Sequence, residues 1–410
     1  MKNQPIAKLQ HANWLHNDAT QRVFSALVVT GAEACAVGGA IRNTLLDEDV
    51  HDIDIATTAM PDEIIAAARE AGLKAVPTGY EHGTVTILSG GTPFEVTTLR
   101  EDVQTHGRHA VVQFGSDWQR DAERRDFTMN ALYADRDGNV FDLVDGYQDC
   151  LERRVRFIGS AEKRIQEDYL RILRYFRFQA TYGSQYDDVE AREAIVANRD
   201  GVEQLSAERL GQEMRRLLPA RDAARVVSEM AELGLIEILI GNPPHLDLFR
   251  YFKSLEEVTD AARDSSLLLF ALAGFVIEDV DLVAGRLRLA NAEKNRMITG
   301  HQAAQMCRNT STDYDLSLLL YKHGRVAAVD GTSIAWSKTG KAVTDRGWLS
   351  NLERLSSLPI PEFPVTGGDL VSAGVKPGEL VGKKLRKGEN TWIDSKFRLS
   401  RSEILEIIQN

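Results

Sequence analysis

The sequence predicts an α+β domain on the amino-terminal side, followed by a remainder built of helices alone. Three observations carry this. Up to about residue 150, short apolar runs of strand length are divided by glycine turns and interleaved with helical patterns. From about residue 160 almost to the end, the apolar spacing is helical throughout. The 410 residues also exceed what one ordinary core holds, so two to four domains are expected.

Composition narrows the class. A chain that is 43% hydrophobic and 27% charged is globular, not disordered. No apolar run approaches membrane-spanning length, and the opening MKNQPIAKLQHANWLHNDATQ has neither a signal h-region nor an Arg-rich transit pattern. Cys35, Cys150 and Cys307 are far apart and lack zinc spacing, which suits a reducing compartment. These features point to the cytoplasm, with no membrane and no obligate protein partner evident. A net charge of −11 argues against diffuse nucleic-acid affinity, so any RNA contact needs a local basic face.

In chain order, residues 8–29 have the apolar spacing of one helix, and Ala34–Val37 leads as a short strand into Gly38-Gly39 and a helix over 40–46. The string His51-Asp52-Ile53-Asp54-Ile55 alternates as a strand. Asp52 and Asp54 therefore share one face while the isoleucines face a core. Two adjacent carboxylates repel unless a cation lies between them, and hard oxygen ligands suit Mg²⁺. Gly38-Gly39 lets backbone N–H groups approach an anion, and Arg42, one turn on, reaches the same place. A metal platform beside a phosphate cradle is the equipment of phosphoryl or nucleotidyl transfer.

Pro61 opens a helix to about Ala71. Lys74–Val76, Thr84–Leu88 and Phe94–Leu99 follow as strands, and Glu95 suits either a third acidic group near the aspartate pair or a salt-bridged or solvent-exposed residue. Arg100–Gln113 is polar and reads as a loop with a strand-like tail. Arg124, Arg125 and Asp126 stand where an amphipathic helix passes into an apolar segment. They suit an ion-pair cluster, and equally a grip on ribose and triphosphate. Strands around Tyr133 and over Val140–Val144 close the first domain.

Arg164–Tyr182 has the spacing of one helix, with Ile165, Tyr169, Ile172 and Phe176 on the buried side. Asp168, Arg171 and Arg174 make a polar stripe that Arg177 continues. A salt-bridged solvent face explains such a stripe. So does base recognition: a carboxylate accepts from the amine of cytosine or adenine while a guanidinium donates to the neighbouring ring nitrogen. Uracil and guanine present the reverse polarity. In LSAERLGQE, Ser206 is an N-cap signal, but Arg209 occupies the position of the capping-box Glu. Amphipathic helices over 207–238, interrupted near Pro219, precede helical packing to 325, and 330–346 reads as a linker. In the tail a glycine-punctuated turn precedes Lys383, Lys384, Arg386 and Lys387, a local basic cluster that a solvated charge run explains and that also suits an RNA backbone.

Taken together, GGAIRNTLLDEDVHDIDIATTAMP, EVTTLREDVQTHGRH, DWQRDAERRDFTMNAL, RIQEDYLRILRYFRF and LSAERLGQE resemble class II nucleotidyltransferases, most closely the tRNA CCA-adding family. The resemblance implies a polymerase-β-like head (1–150), then a helical neck (151–218), body (219–340) and tail (341–410). Asp52 and Asp54 would hold Mg²⁺, and Gly39, with Gly38 beside it, and Arg42 the triphosphate. Arg125 would contact the nucleotide and Asp126 its ribose. Asp168 and Arg171 would read the base, with Arg174 and Arg177 completing the site and Leu99–His109 acting as a flexible loop in switching from C to A. Tyr169 and His106 depart from the family's commoner residues. The implied partners are tRNA, CTP and ATP. A bacterial poly(A) polymerase and partial CC- or A-adding enzymes share the head and neck motifs.

Overall fold

The strand-like runs of the first half assemble into one eight-stranded sheet in the computed structural model, which describes residues 4–106, 109–184, 188–274 and 276–409. Contacts divide the chain into two units, 1–238 and 239–410.

The first unit begins with β1 (Ala7–Lys8), α1 (Asn13–His16) and α2 (Asp18–Val29). The single helix expected over 8–29 is thus two. Asn17 separates them because its side chain caps α2, accepting from Thr20 N at 2.8 Å. β2 (Ala34–Val37) runs into α3 (Gly39–Leu45), then β3 (Ile53–Thr57) and α4 (Pro61–Glu70). Pro61 stands at the first helical position of α4, and Glu63 accepts from Met60 N at 2.8 Å. β4 (Lys74–Gly79), β5 (Thr84–Ser89) and β6 (Thr92–Thr98) extend the sheet, giving the order β4-β5-β6-β3-β2 on this side. Among the described residues only β3 and β6 pair in parallel, with Asp54 opposite Glu95.

Arg100–Gln113, expected as a loop, is instead a two-stranded ribbon, β7 (Arg100–His106) and β8 (His109–Phe114), with Gly107 and Arg108 outside the described residues. α5 (Trp118–Glu123), β9 (Leu132–Ala134) and β10 (Asn139–Asp142) complete the sheet, β9 pairing with β2 and β10 with β1. Ile53, Ile55, Phe94 and Val96 are buried, so the alternation along β3 and β6 leaves Asp54 and Glu95 on the open side.

Helices α6 (Gly146–Leu151), α7 (Ala161–Glu167), α8 (Leu170–Thr181), α9 (Val189–Asn198) and α10 (Ala207–Leu217) follow. The helix expected over Arg164–Tyr182 breaks at Asp168, whose φ of −158° and ψ of 107° are extended. Asp168 accepts from Leu170 N at 3.1 Å, so it starts α8 instead of lying within a helix. Ile165, Ile172 and Phe176 are buried as expected. Tyr169 is only half-buried, its ring lying where a Cβ on Gly201 would approach to 2.2 Å.

The second unit is helical. The helical run Asp313–Ser337, two helices meeting at Gly324 (φ +75°), reaches into the stretch expected as a linker as far as Ser337, while 338–345 is turn and coil as expected. The small polar residues there serve packing: Asp330 is buried against Arg296 at 2.9 Å, and a Cβ on Gly331 would meet Ala303 at 2.6 Å. A close crossing with the helix Asn291–Ala304 needs those residues, so low hydrophobicity at this place marks proximity and not a loop. In the tail, Trp392, Ile393, Ile404 and Ile408 form a core with Leu370 and Val365. Among the described residues no helix is long and apolar enough to cross a membrane.

Candidate active site

β3 presents Asp54 to the open side of the sheet, with Asp52 just before the strand and Glu95 adjacent on β6. The Asp54 carboxyl is pushed up to about 6, first by burial, then by the charge of Glu95, with Asp52 adding and Arg125 opposing. Part of its surface still meets water, so the residue is crowded without being sealed. Such crowding is relieved by a cation, and the oxygen donors fit a hard divalent ion. Among the described residues no group of three or more His, Cys, Asp or Glu side chains is placed to hold a metal by itself. An ion held by the aspartates therefore needs substrate and water oxygens as well, as Mg²⁺ commonly does.

The turn between β2 and α3 forms the second wall. Gly38 has a φ of +73°, and a Cβ there would meet the Asn130 carbonyl at 3.2 Å. Arg42, on the buried face of α3, donates to Asn130 Oδ1 at 2.5 Å, Asn43 Oδ1 at 2.8 Å and the Tyr182 hydroxyl at 2.8 Å. Its guanidinium also lies 4.0 Å from the centroid of the Tyr182 ring. Burial pulls its pKa down, and no carboxylate is among these partners.

The arginines of the next motif are anchored differently. Asp121, 1% exposed, accepts from Arg124 at 2.7 Å, Arg125 at 3.0 Å and the Tyr133 hydroxyl at 2.8 Å. Burial raises its pKa, but Arg125 and Arg124 overcome that and hold it at about 2. Asp126 accepts from Phe127 N at 2.8 Å and Asn130 Nδ2 at 3.1 Å on one oxygen, and from Arg174 Nε and Nη2 at 2.7 and 2.5 Å on the other. Its acceptor positions are thus filled from within the protein.

On the third wall, Asp168 receives both Nη1 and Nη2 of Arg209, at 3.0 and 2.6 Å. With Leu170 N on the same oxygen as Nη1, the other oxygen keeps an acceptor position. Arg171 pairs with Glu167 and donates to the Arg164 carbonyl at 2.9 Å, and Arg177 pairs with Glu213 at 2.6 Å. The Phe178 ring has Arg42, Arg174 and Arg177 around it, at 5.1, 5.6 and 4.5 Å from its centroid.

These walls enclose a cavity of about 380 Å³ lined by Gly38, Gly39, Arg42, Asp54, Arg125, Asp126, Asn130, Asp168, Arg171, Arg174 and Phe178. Asp52, Glu95 and Arg177, also expected at the site, are not on its lining. Asn130, Phe178, Tyr182, Arg209 and Glu213 were not anticipated. The only sequence signal for the last two was their spacing of four on α10, within LSAERLGQE. The tail cluster lies in the other unit. Lys384 Nζ bonds to the Ile408 carbonyl and Lys383 pairs with Glu379 at 2.9 Å, while Arg386 and Lys387 are exposed.

An acidic patch on the open face of a sheet beside a basic cradle, in an α+β head followed by helices, defines a nucleotidyltransferase. Residues 34–156 match the family model "Poly A polymerase head domain", and 188–249 match "Probable RNA and SrmB- binding site of polymerase A". The chain is 35% identical to CCA tRNA nucleotidyltransferase 1, mitochondrial, of Danio rerio, over 90% of this chain and 86% of that one. It is 33% identical to the Homo sapiens protein of the same name, over 96% and 91%. Its fold superposes on the Bacillus stearothermophilus CCA-adding enzyme in complex with CTP with a TM-score of 0.78 at 28% identity, covering 96% and 97% of the two chains. The chain belongs to the CCA tRNA nucleotidyltransferase family, the CCA-adding enzymes.

Proposed function

We propose that this enzyme adds C, C and A in turn to tRNA 3′ ends from CTP and ATP, releasing diphosphate, with no nucleic-acid template. The observation that carries the reading is the placing of Asp168 and Arg171 on the same cavity as Gly38, Gly39, Arg42 and Asp54. The free acceptor of Asp168 suits the amine of cytosine or adenine, and Arg171 suits the neighbouring ring nitrogen. Arg209 holds the carboxylate in one orientation, and Glu167 does the same for Arg171. Gly38, Gly39 and Arg42 take the triphosphate, Arg125 contacts the nucleotide, and Arg174 and Arg177 shape the site through Asp126 and Glu213. Because Asp126 is filled by internal donors, a ribose hydroxyl reaches it only by displacing one of them.

Asp52 and Asp54 hold Mg²⁺, with Glu95 as a third acidic group beside them. Held there, such an ion would supply a lowered pKa for the attacking 3′ hydroxyl and charge stabilisation for the triphosphate and leaving group. Lys383, Lys384, Arg386 and Lys387 lie on the surface that meets tRNA. The division into head, neck, body and tail at 150, 218 and 340 belongs to this reading, as does a place in the cytoplasm.

The test is product length. tRNA ending at the discriminator base is incubated with Mg²⁺ and CTP, ATP or both. Three added nucleotides only with both substrates is the expected result, and long adenosine tails with ATP alone refute it. That second outcome is the poly(A) polymerase reading, which the name of the matching head-domain family keeps in view. Arrest after two or one additions marks a partial enzyme. Asp52→Ala with Asp54→Ala abolishes all addition while nucleotide binding through the neck survives.

A further inference from the structure

Arg42 is 6% exposed, yet among the described residues its hydrogen-bond partners are all neutral: Asn43, Asn130 and Tyr182. Asp126, which shares the partner Asn130 with it, is taken by Arg174. Asn130 stands between the two and is itself buried, at 8% exposure. Its Oδ1 accepts from Arg42 at 2.5 Å and its Nδ2 donates to Asp126 at 3.1 Å.

We propose that Asn130 is a positioning residue that aims Arg42 at the substrate triphosphate without neutralising it, and ties that cation to the Asp126–Arg174 pair. The proposal rests on the reading above that Arg42 takes the triphosphate. The chemistry leaves few alternatives at this position. A guanidinium only donates and a carboxylate only accepts, so the bridging group must offer one acceptor and one donor at once. An amide does this with no charge. A carboxylate at 130 would cancel the charge of Arg42 and repel Asp126. An apolar side chain would leave both buried groups short of a partner. The bond also fixes which way the amide points, since only oxygen can face Arg42.

The measurement is the affinity gain from CMP to CTP, and from AMP to ATP, for the full chain in Mg²⁺, alongside thermal melting. Asn130→Asp is expected to cut both gains by about tenfold or more, with the preference between CTP and ATP unchanged. Asn130→Ser, neutral at the same place, keeps most of the gain. In the exchange Asn130→Asp with Asp126→Asn the bridge is rebuilt but the negative charge faces Arg42. That variant recovers melting temperature relative to Asn130→Asp and does not recover the gain. Recovery of the gain in the exchanged variant overturns the proposal, because connectivity and not charge would then be what matters. So does an unchanged gain in Asn130→Asp when Arg42→Met has lost it. If Arg42→Met itself keeps the gain, the reading of Arg42 beneath the proposal fails instead.

Discussion

The arginines around the cleft fall into two kinds. On the neck, Arg171, Arg174 and Arg177 each face a carboxylate, from Glu167, Asp126 and Glu213. On the head, Arg42 is held, among the described residues, by amides and a phenol. A guanidinium already paired contributes shape and hydrogen bonds with little net charge, which suits reading the edge of a base. One kept unpaired in a buried place attracts an anion and is costly to the fold, since burial opposes its charge. On the function proposed above, the difference would separate recognition of the base from capture of the triphosphate.

The sharpest way to break this division is to remove one arginine of each kind. Arg42→Met should lower kcat/KM for CTP and ATP alike by roughly a hundred- to a thousandfold, while the melting temperature stays level or rises. Arg177→Met should do the opposite. It leaves Glu213, 5% exposed, without its cation, and breaking a buried pair costs about 3–5 kcal/mol of stability. Steady-state kinetics and denaturant unfolding on the same preparations give both readings. If Arg42→Met destabilises and Arg177→Met does not, the two kinds are misassigned.

The second step converts a paired arginine into an unpaired one. Glu213→Gln keeps size and one acceptor but leaves the charge of Arg177 uncompensated. We expect a stability loss of about 2 kcal/mol, with weaker discrimination of triphosphates from other polyanions. Inhibition by inorganic triphosphate measures the latter, and its constant should tighten. An unchanged constant would mean that Arg177 lies too far from the phosphates to matter, as its absence from the cavity lining allows.

Much of this was legible before any coordinates. Glycines 38 and 39, the aspartates at and just before β3, and the arginines 171, 174 and 177 of α8 announce themselves because each group is local in sequence. What stayed hidden is long-range or masked by composition. Arg209 meets Asp168 across 41 residues, and Glu213 meets Arg177 across 36. Neither pairing has a periodicity to betray it. The break at Asp168 has no Gly or Pro to mark it; the Asp168 carboxylate accepts instead from the first amide of the new helix, Leu170 N. The ribbon β7–β8 was polar enough to pass for a loop. Gly331, Thr332 and Ser333 passed for a linker when their small size lets two helices touch.

Acid sharpens the comparison from within the head, where Arg124 and Arg125 are of the paired kind. Asp121 titrates at about 2 when folded, against an ordinary 3.8. A depressed folded pKa means the stabilisation is complete above about 4 and is lost as pH falls through 2. The lost increment is about 2 kcal/mol. Urea midpoints between pH 5 and 2 should therefore fall for the wild type and stay flatter for Asp121→Asn. Parallel curves would show that Asp121 does not hold its arginines in solution.

The smallest expected effect carries the same division to the tail. Lys384 is engaged by the Ile408 carbonyl, whereas Lys387 is exposed and has no acidic partner among the described residues. If pairing separates structural cations from recognising ones here too, Lys387→Gln should leave melting unchanged and weaken tRNA binding. The slope of log affinity against log salt should drop by about 0.8, the value for one lost phosphate contact. Lys384→Gln should leave that slope alone and cost about 1 kcal/mol of stability, the worth of a hydrogen bond from a charged donor to a helix end. Binding titrations at several salt concentrations distinguish the two. Equal slopes for both variants would confine the rule to the cleft, where burial makes an unpaired charge costly enough to signify.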